Sequence, residues 1–178
     1  MKIRRTEEKA VMLSVKPEWC GRMASRKKTL EIRKSKPILT PPFKVYIYCT
    51  KGRKVHFWKS KLYEYADDRS HNAFDICGDG KVIGEFICDR VYQYSTSTIE
   101  GADISENEVV SQSCLSRKDL EAYENSAEPQ ENCIYLLGLY CWHITNLKIY
   151  ERPEDIFITW GLKRAPQSWR YVEGVPWL

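Results

Sequence analysis

Across 178 residues there is no run of about 18 apolar residues, the length a membrane-crossing helix needs. The start, Met1-Lys2-Ile3-Arg4-Arg5, is charged with no apolar stretch behind it, so no secretory signal is expected. Histidine is scarce: His56, His71 and His143 lie far apart. The seven cysteines (Cys20, Cys49, Cys77, Cys88, Cys114, Cys133 and Cys141) are odd in number and never stand in C-x2-C or C-x4-C spacing. That argues against a disulfide framework and gives a metal site no support. The G-x-S-x-G turn, a phosphate-cradling glycine loop and H-E-x-x-H are all missing. Internal repeats and low-complexity tracts are absent too. The expectation is a cytoplasmic protein with reduced cysteines, without metal, cofactor or membrane contact.

What is present is a globular composition, 43% hydrophobic and 29% charged, of a length that fits one ordinary domain. The net charge of +4 hides an uneven distribution. Residues 1–60 hold 17 Lys/Arg against 4 Asp/Glu, residues 61–150 hold 7 against 16, and residues 151–178 hold 4 of each. A strongly basic third suits a face for a polyanion, unless the two signs mix on one surface and cancel.

The pattern predicts mainly short strands. Residues 11–15 are an apolar run closed by Lys16-Pro17, which reads as a strand leading into a short helix from Glu18 to Ser25 with Pro17 at its start. Residues 28–33 alternate, with Leu30 and Ile32 toward a core and Thr29, Glu31 and Arg33 on the other face. A Pro-rich loop, 36–42, precedes Lys44 to Thr50, the clearest strand. Residues 51–79 have no clean period and read as an insertion, with a short helix around Lys59–Ala66. The turn Gly78-Asp79-Gly80 introduces a strand at 81–90. Residues 95–112 read as a surface loop. Ser116, with Asp119 three residues on, opens a helix through Tyr123. Residues 133–148 read as one or two core strands, and the tail ends in a strand near Val172. The fold class is therefore mainly β with α (α+β): a small closed or nearly closed β-barrel with short helices at its rim, one domain over 1–178.

The motifs sharpen this. Ser14-Val15-Lys16-Pro17, a short helix, then Lys28-Thr29-Leu30-Glu31-Ile32-Arg33-Lys34 resemble the signature of the ASCH domain, in the PUA-like superfamily. Residues 44–50, Val82-Ile83-Gly84-Glu85-Phe86, Leu115-Ser116 and the ending Ala165-Pro166-Gln167-Ser168-Trp169-Arg170-Tyr171-Val172 continue the resemblance in order, in the manner of prokaryotic and phage-type members. The resemblance spans nearly the whole chain outside 51–79. It implies a PUA-like barrel with a cleft between the first helix and the barrel, and a nucleic-acid or nucleotide-type ligand.

On that reading Lys16, Lys28 and Arg33 contact phosphate or a base edge, Glu31 orders them, and Gln167, Ser168 and Trp169 wall the pocket. Tyr48, Tyr171 and Trp169 are the aromatic surfaces on which a base can stack. Each also has a structural reading. Lys28 and Arg33 can be solvated charges, Glu31 an internal ion-pair partner, Trp169 and Tyr171 barrel-closing core, and His143 a satisfied core histidine. The expected partner is RNA or single-stranded DNA, with a protein partner at the acidic middle or the 51–79 insertion as the third reading.

The alternative is an enzyme. Some ASCH proteins are understood to be amidohydrolases of N4-acetylcytidine, using a Lys, a Thr three residues later and a Glu further on; others act as ribonucleases. Here Lys28 holds the Lys position, but Glu31 stands where the Thr would be, and Thr29 points to the opposite strand face. The expected nucleophile is gone, which leaves Lys28 and Glu31 as the acid/base candidates, with Glu85 and Glu121 as candidates for the later Glu.

Overall fold

The computed structural model describes residues 8–52, 56–58, 65–67, 76–97, 103–126 and 138–174. Its elements are β1 (Lys9–Val15), α1 (Pro17–Ala24), β2 (Leu30–Arg33), β3 (Phe43–Cys49), β4 (His56–Trp58), β5 (Tyr65–Asp67), β6 (Ile76–Cys77), β7 (Lys81–Tyr94), α2 (Glu106–Ser113), α3 (Arg117–Asn125), β8 (Leu139–Glu154), α4 (Ile156–Trp160) and β9 (Trp169–Glu173).

Six strands form one mixed sheet in the order β2-β8-β7-β3-β1-β9. Only β1 and β3 run parallel, with Val11 opposite Val45 and Val15 opposite Cys49; every other pairing is antiparallel. The parallel pair follows from the connection, since α1 and β2 intervene before β3 and a tight hairpin is excluded. In β3, Val45 and Ile47 face one cluster while Tyr46 and Tyr48 face another. Burial on both faces explains why 44–50 reads as an unbroken β-branched and aromatic run.

Three apolar clusters follow from this. The inner face of the sheet packs Val11, Leu13, Val45, Ile47, Phe86 and Trp142 against Cys20 and Met23 of α1. On the outer face, Leu30, Ile32, Leu139 and Cys141 lie under Val109 of α2 and Leu120 of α3. At the other end, Met12, Tyr46, Tyr48 and Val82 lie under Ile156 of α4. Gly84 marks the closest approach of β7 and β8, because a Cβ there would run into the Lys148 carbonyl oxygen.

The α+β class stands, but the barrel is not closed. The edge strands β2 and β9 share no ladder. The sheet curls until they meet through side chains: Arg33 bonds Ser168 Oγ and Trp169 Nε1 donates to Ser35 Oγ at 3.0 Å. Tyr171 Oη accepts the Ile38 N–H at 2.7 Å. Two further expectations are corrected. The stretch 95–112 is not all loop, since Ser105 caps α2 through a full capping box with Glu108. The helix expected around Lys59–Ala66 conflicts with β5, whose Tyr65 and Ala66 are strand; residues 59–64 lie outside the described residues. Instead, β4, β5 and β6 form a second, three-stranded sheet in the order β5-β4-β6, and β5 lies near α1.

Candidate functional site

The seam between β2 and β9, with Trp19 of α1 beside it, carries a buried charged cluster. Glu31 sits on β2 opposite Trp142 of β8, so it faces the inner core although it is a carboxylate. It is 5% exposed and Lys28 is 3% exposed. Burial of that kind requires partners, and the cluster supplies them. Arg33 Nη2 lies 2.7 Å from Glu31 Oε1, and Lys28 Nζ lies 3.3 Å from Glu31 Oε2. Arg33 Nη2 also donates to the Ser14 carbonyl at 2.6 Å, and Nη1 to Ser168 Oγ at 3.3 Å. Lys28 Nζ donates to the Ser113 carbonyl at 2.9 Å and stands 5.4 Å from the centre of the Trp19 ring.

Local structure holds each member. Pro17 starts α1 directly after Lys16, which fixes Trp19 one turn in, where Arg22 also lies over its ring. The C-terminal end of α2 is stitched to residues 27–29: Thr29 N–H donates to the Gln112 carbonyl, and Cys114 Sγ, beside the left-handed turn that ends α2, to the Lys27 carbonyl. On the β9 side, Ser14 Oγ donates to the Pro166 carbonyl at 2.6 Å and Ser14 N–H to the Ser168 carbonyl at 2.9 Å. A shallow groove runs along Pro166, Gln167, Ser168, Trp169, Arg170 and Tyr171.

The structure therefore brings Lys28, Glu31, Arg33, Ser168 and Trp169 together. Gln167 is exposed along the groove, and Lys16 is exposed at the start of α1. The solvated-charge reading fails for Lys28, which is buried. Tyr48 is not a stacking surface, being 7% exposed on the opposite face of the sheet, where burial pushes its hydroxyl pKa up. Trp169 is half-buried, its ring 6.0 Å from that of Trp142. Tyr171 is partly exposed. Thr29 lies just before β2, so the strand-face argument does not apply to it; its Oγ1 donates to Gln112 Oε1, next to the Ser113 whose carbonyl takes Lys28. Glu85 lies on the outer face, bonded by Tyr150 Oη at 2.6 Å, and Glu121 pairs with Arg117 on the surface of α3, so neither joins Lys28. His143 is half-exposed rather than a core residue, its Nδ1 2.7 Å from Asp89 Oδ1. The side chain of His56, and both His71 and Cys133, lie outside the described residues.

Sequence reasoning misses Ser14, Trp19, Ser35 and Ser113. Two of these act through backbone carbonyls, which leave no side-chain signature. Two thiols border the cluster without offering a thiolate. Burial, and after it the neighbouring Cys49 thiol, push Cys20 well above the ordinary range. Burial lifts Cys141 to about 12, against the opposing pull of Lys28. Among the described residues no group of three or more His, Cys, Asp or Glu is placed to hold a metal, and no helix is long and apolar enough to cross a membrane.

Comparison with solved structures decides the fold. The chain superposes on a crystal structure of ASCH from Zymomonas mobilis with a TM-score of 0.60, over 91% of this chain and 86% of that one, at 16% identity. The fold is that of an ASCH domain. A variant of the same Zymomonas protein with a Ser replaced by Ala gives 0.59 over 91% and 87% at 16% identity. A variant with a Tyr replaced by Phe gives 0.56 over 91% and 88% at 15% identity. No family model and no curated protein sequence matches the chain. The ASCH fold accounts for the order of the motifs around the seam, and the chemistry of the seam rests on this chain's own residues.

Proposed function

We propose that the protein is a nucleic-acid-binding module that takes RNA or single-stranded DNA at the seam between β2 and β9. The observation that carries this reading is Arg33. It is fixed in place by Glu31 and Ser14, it meets Ser168 beside the groove, and its Nε is buried with no partner among the described residues. Such a preoriented guanidinium suits a base edge or a phosphate. Exposed cations flank it. Lys16 follows the Ser14 strand end, Arg22 lies on Trp19, and Lys36 stands over Tyr140, the cross-strand partner of Arg33. In this division of labour Lys16, Arg22 and Lys36 hold the phosphates, Arg33 with Gln167 and Ser168 meets the base, and Trp169 walls it. Lys28 and Glu31 are positioning residues that keep Arg33 in place.

The test is fluorescence anisotropy against labelled single-stranded RNA and DNA at two salt concentrations. Binding that weakens steeply with salt and with Lys16→Ala plus Arg22→Ala supports the reading. Absence of binding at low salt overturns it.

One observation favours a second reading, a small hydrolase of the N4-acetylcytidine amidohydrolase or ribonuclease type. Lys28 and Glu31 form a close, water-poor ion pair, the kind of group that moves protons. Among the described residues no hydroxyl or thiolate stands ready beside them, so water would be the nucleophile. Turnover of N4-acetylcytidine or RNA that is lost in Glu31→Gln supports this reading.

A further inference from the structure

The donors and acceptors around Arg33 do not balance. A guanidinium carries five N–H groups and no acceptor, and an ammonium carries three. The Lys28 amine is spent on the Ser113 carbonyl, Glu31 Oε2 and the face of Trp19. Among the described residues Arg33 meets only Ser14 O, Glu31 Oε1 and Ser168 Oγ. Its Nε is left over, and by the same count so is a hydrogen on Nη1. Ser168 Oγ, accepting from Arg33, keeps its own proton to give away. On the other side of the account each Glu31 oxygen already faces a cation, and the side chain is 7% exposed against 12% for Arg33. Two cations and one carboxylate leave a formal charge of +1. A group that enters from the groove beside Ser168 therefore meets, on the Arg33 side, donors in a place poor in water.

Resting on the nucleic-acid reading above, we infer that the seam selects a base by its acceptors: guanine first, through O6 and N7, and uracil or thymine second, through O4. Guanine offers two adjacent acceptors on its major-groove edge, which match the spare Nη1 hydrogen of Arg33 together with the Ser168 hydroxyl beside it. Adenine and cytosine present an exocyclic amine on that edge. Set against Arg33 and the Ser168 hydroxyl, the amine meets another donor and leaves the Nη1 hydrogen unsatisfied, which is how a polar site rejects a near-isostere. Trp169 does not disturb this choice, because its own indole N–H is committed to Ser35.

The test uses four end-labelled RNA octamers of adenosine that differ at one central position, G, U, C or A, in anisotropy titrations at one low salt concentration. Central G is expected to bind about tenfold tighter than central C or A, with U between. Arg33→Lys keeps the charge but not the extra N–H groups, so it is expected to bring the four oligomers within twofold of each other while salt-sensitive binding remains. Ser168→Ala, which leaves Arg33 in place, is expected to narrow the preference, and it decides the matter if Arg33→Lys does not melt as a folded protein. Equal binding of the four oligomers by the unaltered protein, a preference for C or A, or a preference that survives in both variants overturns the inference and leaves the nucleic-acid reading intact. Failure of all four to bind overturns both.

Discussion

Arg33 and Ser168 join two edge strands that no backbone ladder joins, the Nη1 of one lying 3.3 Å from the Oγ of the other across 135 residues of sequence. The contact is side chain to side chain, so the seam is held by chemistry that can be edited one group at a time.

Removing the charge at Glu31 is the first edit. Glu31→Gln leaves Lys28 and Arg33 as buried cations with no carboxylate between them. Breaking one member of such a buried group costs about 3–5 kcal/mol, which at this chain length lowers Tm by roughly 6–20 °C. Thermal unfolding checks this, and a shift of a degree or two shows that the ion pairs hold little.

The capping boxes make a second, smaller prediction. Ser105 accepts from the Glu108 N–H and Ser116 from the Asp119 N–H, each with the reciprocal bond in place. Ser105→Ala and Ser116→Ala each cost about 1 kcal/mol. The two differ in consequence. Only α2 ends on the Ser113 carbonyl that holds Lys28, so only Ser105→Ala is expected to weaken nucleic-acid binding, measured beside the melt.

Alkaline pH is expected to unfold the protein. Burial lifts Cys88 and Cys141 from the ordinary 9.0 to about 12 and Tyr94 from 10.0 to about 12. In the unfolded chain these groups lose their protons near the ordinary values, while the folded chain keeps them. Stability is full below about pH 9 and falls as pH rises toward 12. A Tm series from pH 7 to 10.5 under reducing conditions reads this directly. A flat profile contradicts it, and Cys141→Ala is expected to soften the decline.

Trp169 separates packing from hydrogen bonding. Trp169→Phe retains a ring against Trp142 but loses the bond to Ser35, so it costs about 1 kcal/mol. Trp169→Ala also removes the ring and costs roughly 3 kcal/mol. Equal losses in denaturant unfolding argue that the indole N–H, not the ring, seals the seam.

Much of the fold is legible in the sequence because it is written locally. Pro17 announces α1, Ser116 with Asp119 announces α3, and the β-branched run at 44–50 announces β3. The same signature, Ser105 with Glu108, announces α2, but its surroundings of Ser, Thr and Glu read as loop, since only Val109 and Val110 mark an apolar face. The strands β4 and β5 have no period to read. In the site, Lys28, Glu31 and Arg33 are visible as a set through their spacing. Their direction is not, because Glu31 stands on the polar side of an alternating strand and is drawn inward by the cations beside it. Ser14 and Ser113 bind through main-chain oxygens, and contacts that any residue could make leave no trace in composition.

The pairing of β1 with both β3 and β9 carries a consequence for synthesis. Ser14 Oγ finds the Pro166 carbonyl 152 residues later in the chain. At about 5–20 residues per second, that partner leaves the ribosome roughly 8–30 s after β1. For that interval β1 has one row of N–H and C=O groups unpaired, beside an apolar face. The nascent protein passes through a window in which β1 is adhesive and the seam does not yet exist, so the cluster of Lys28, Glu31 and Arg33 is closed in only when the β9 segment has been made.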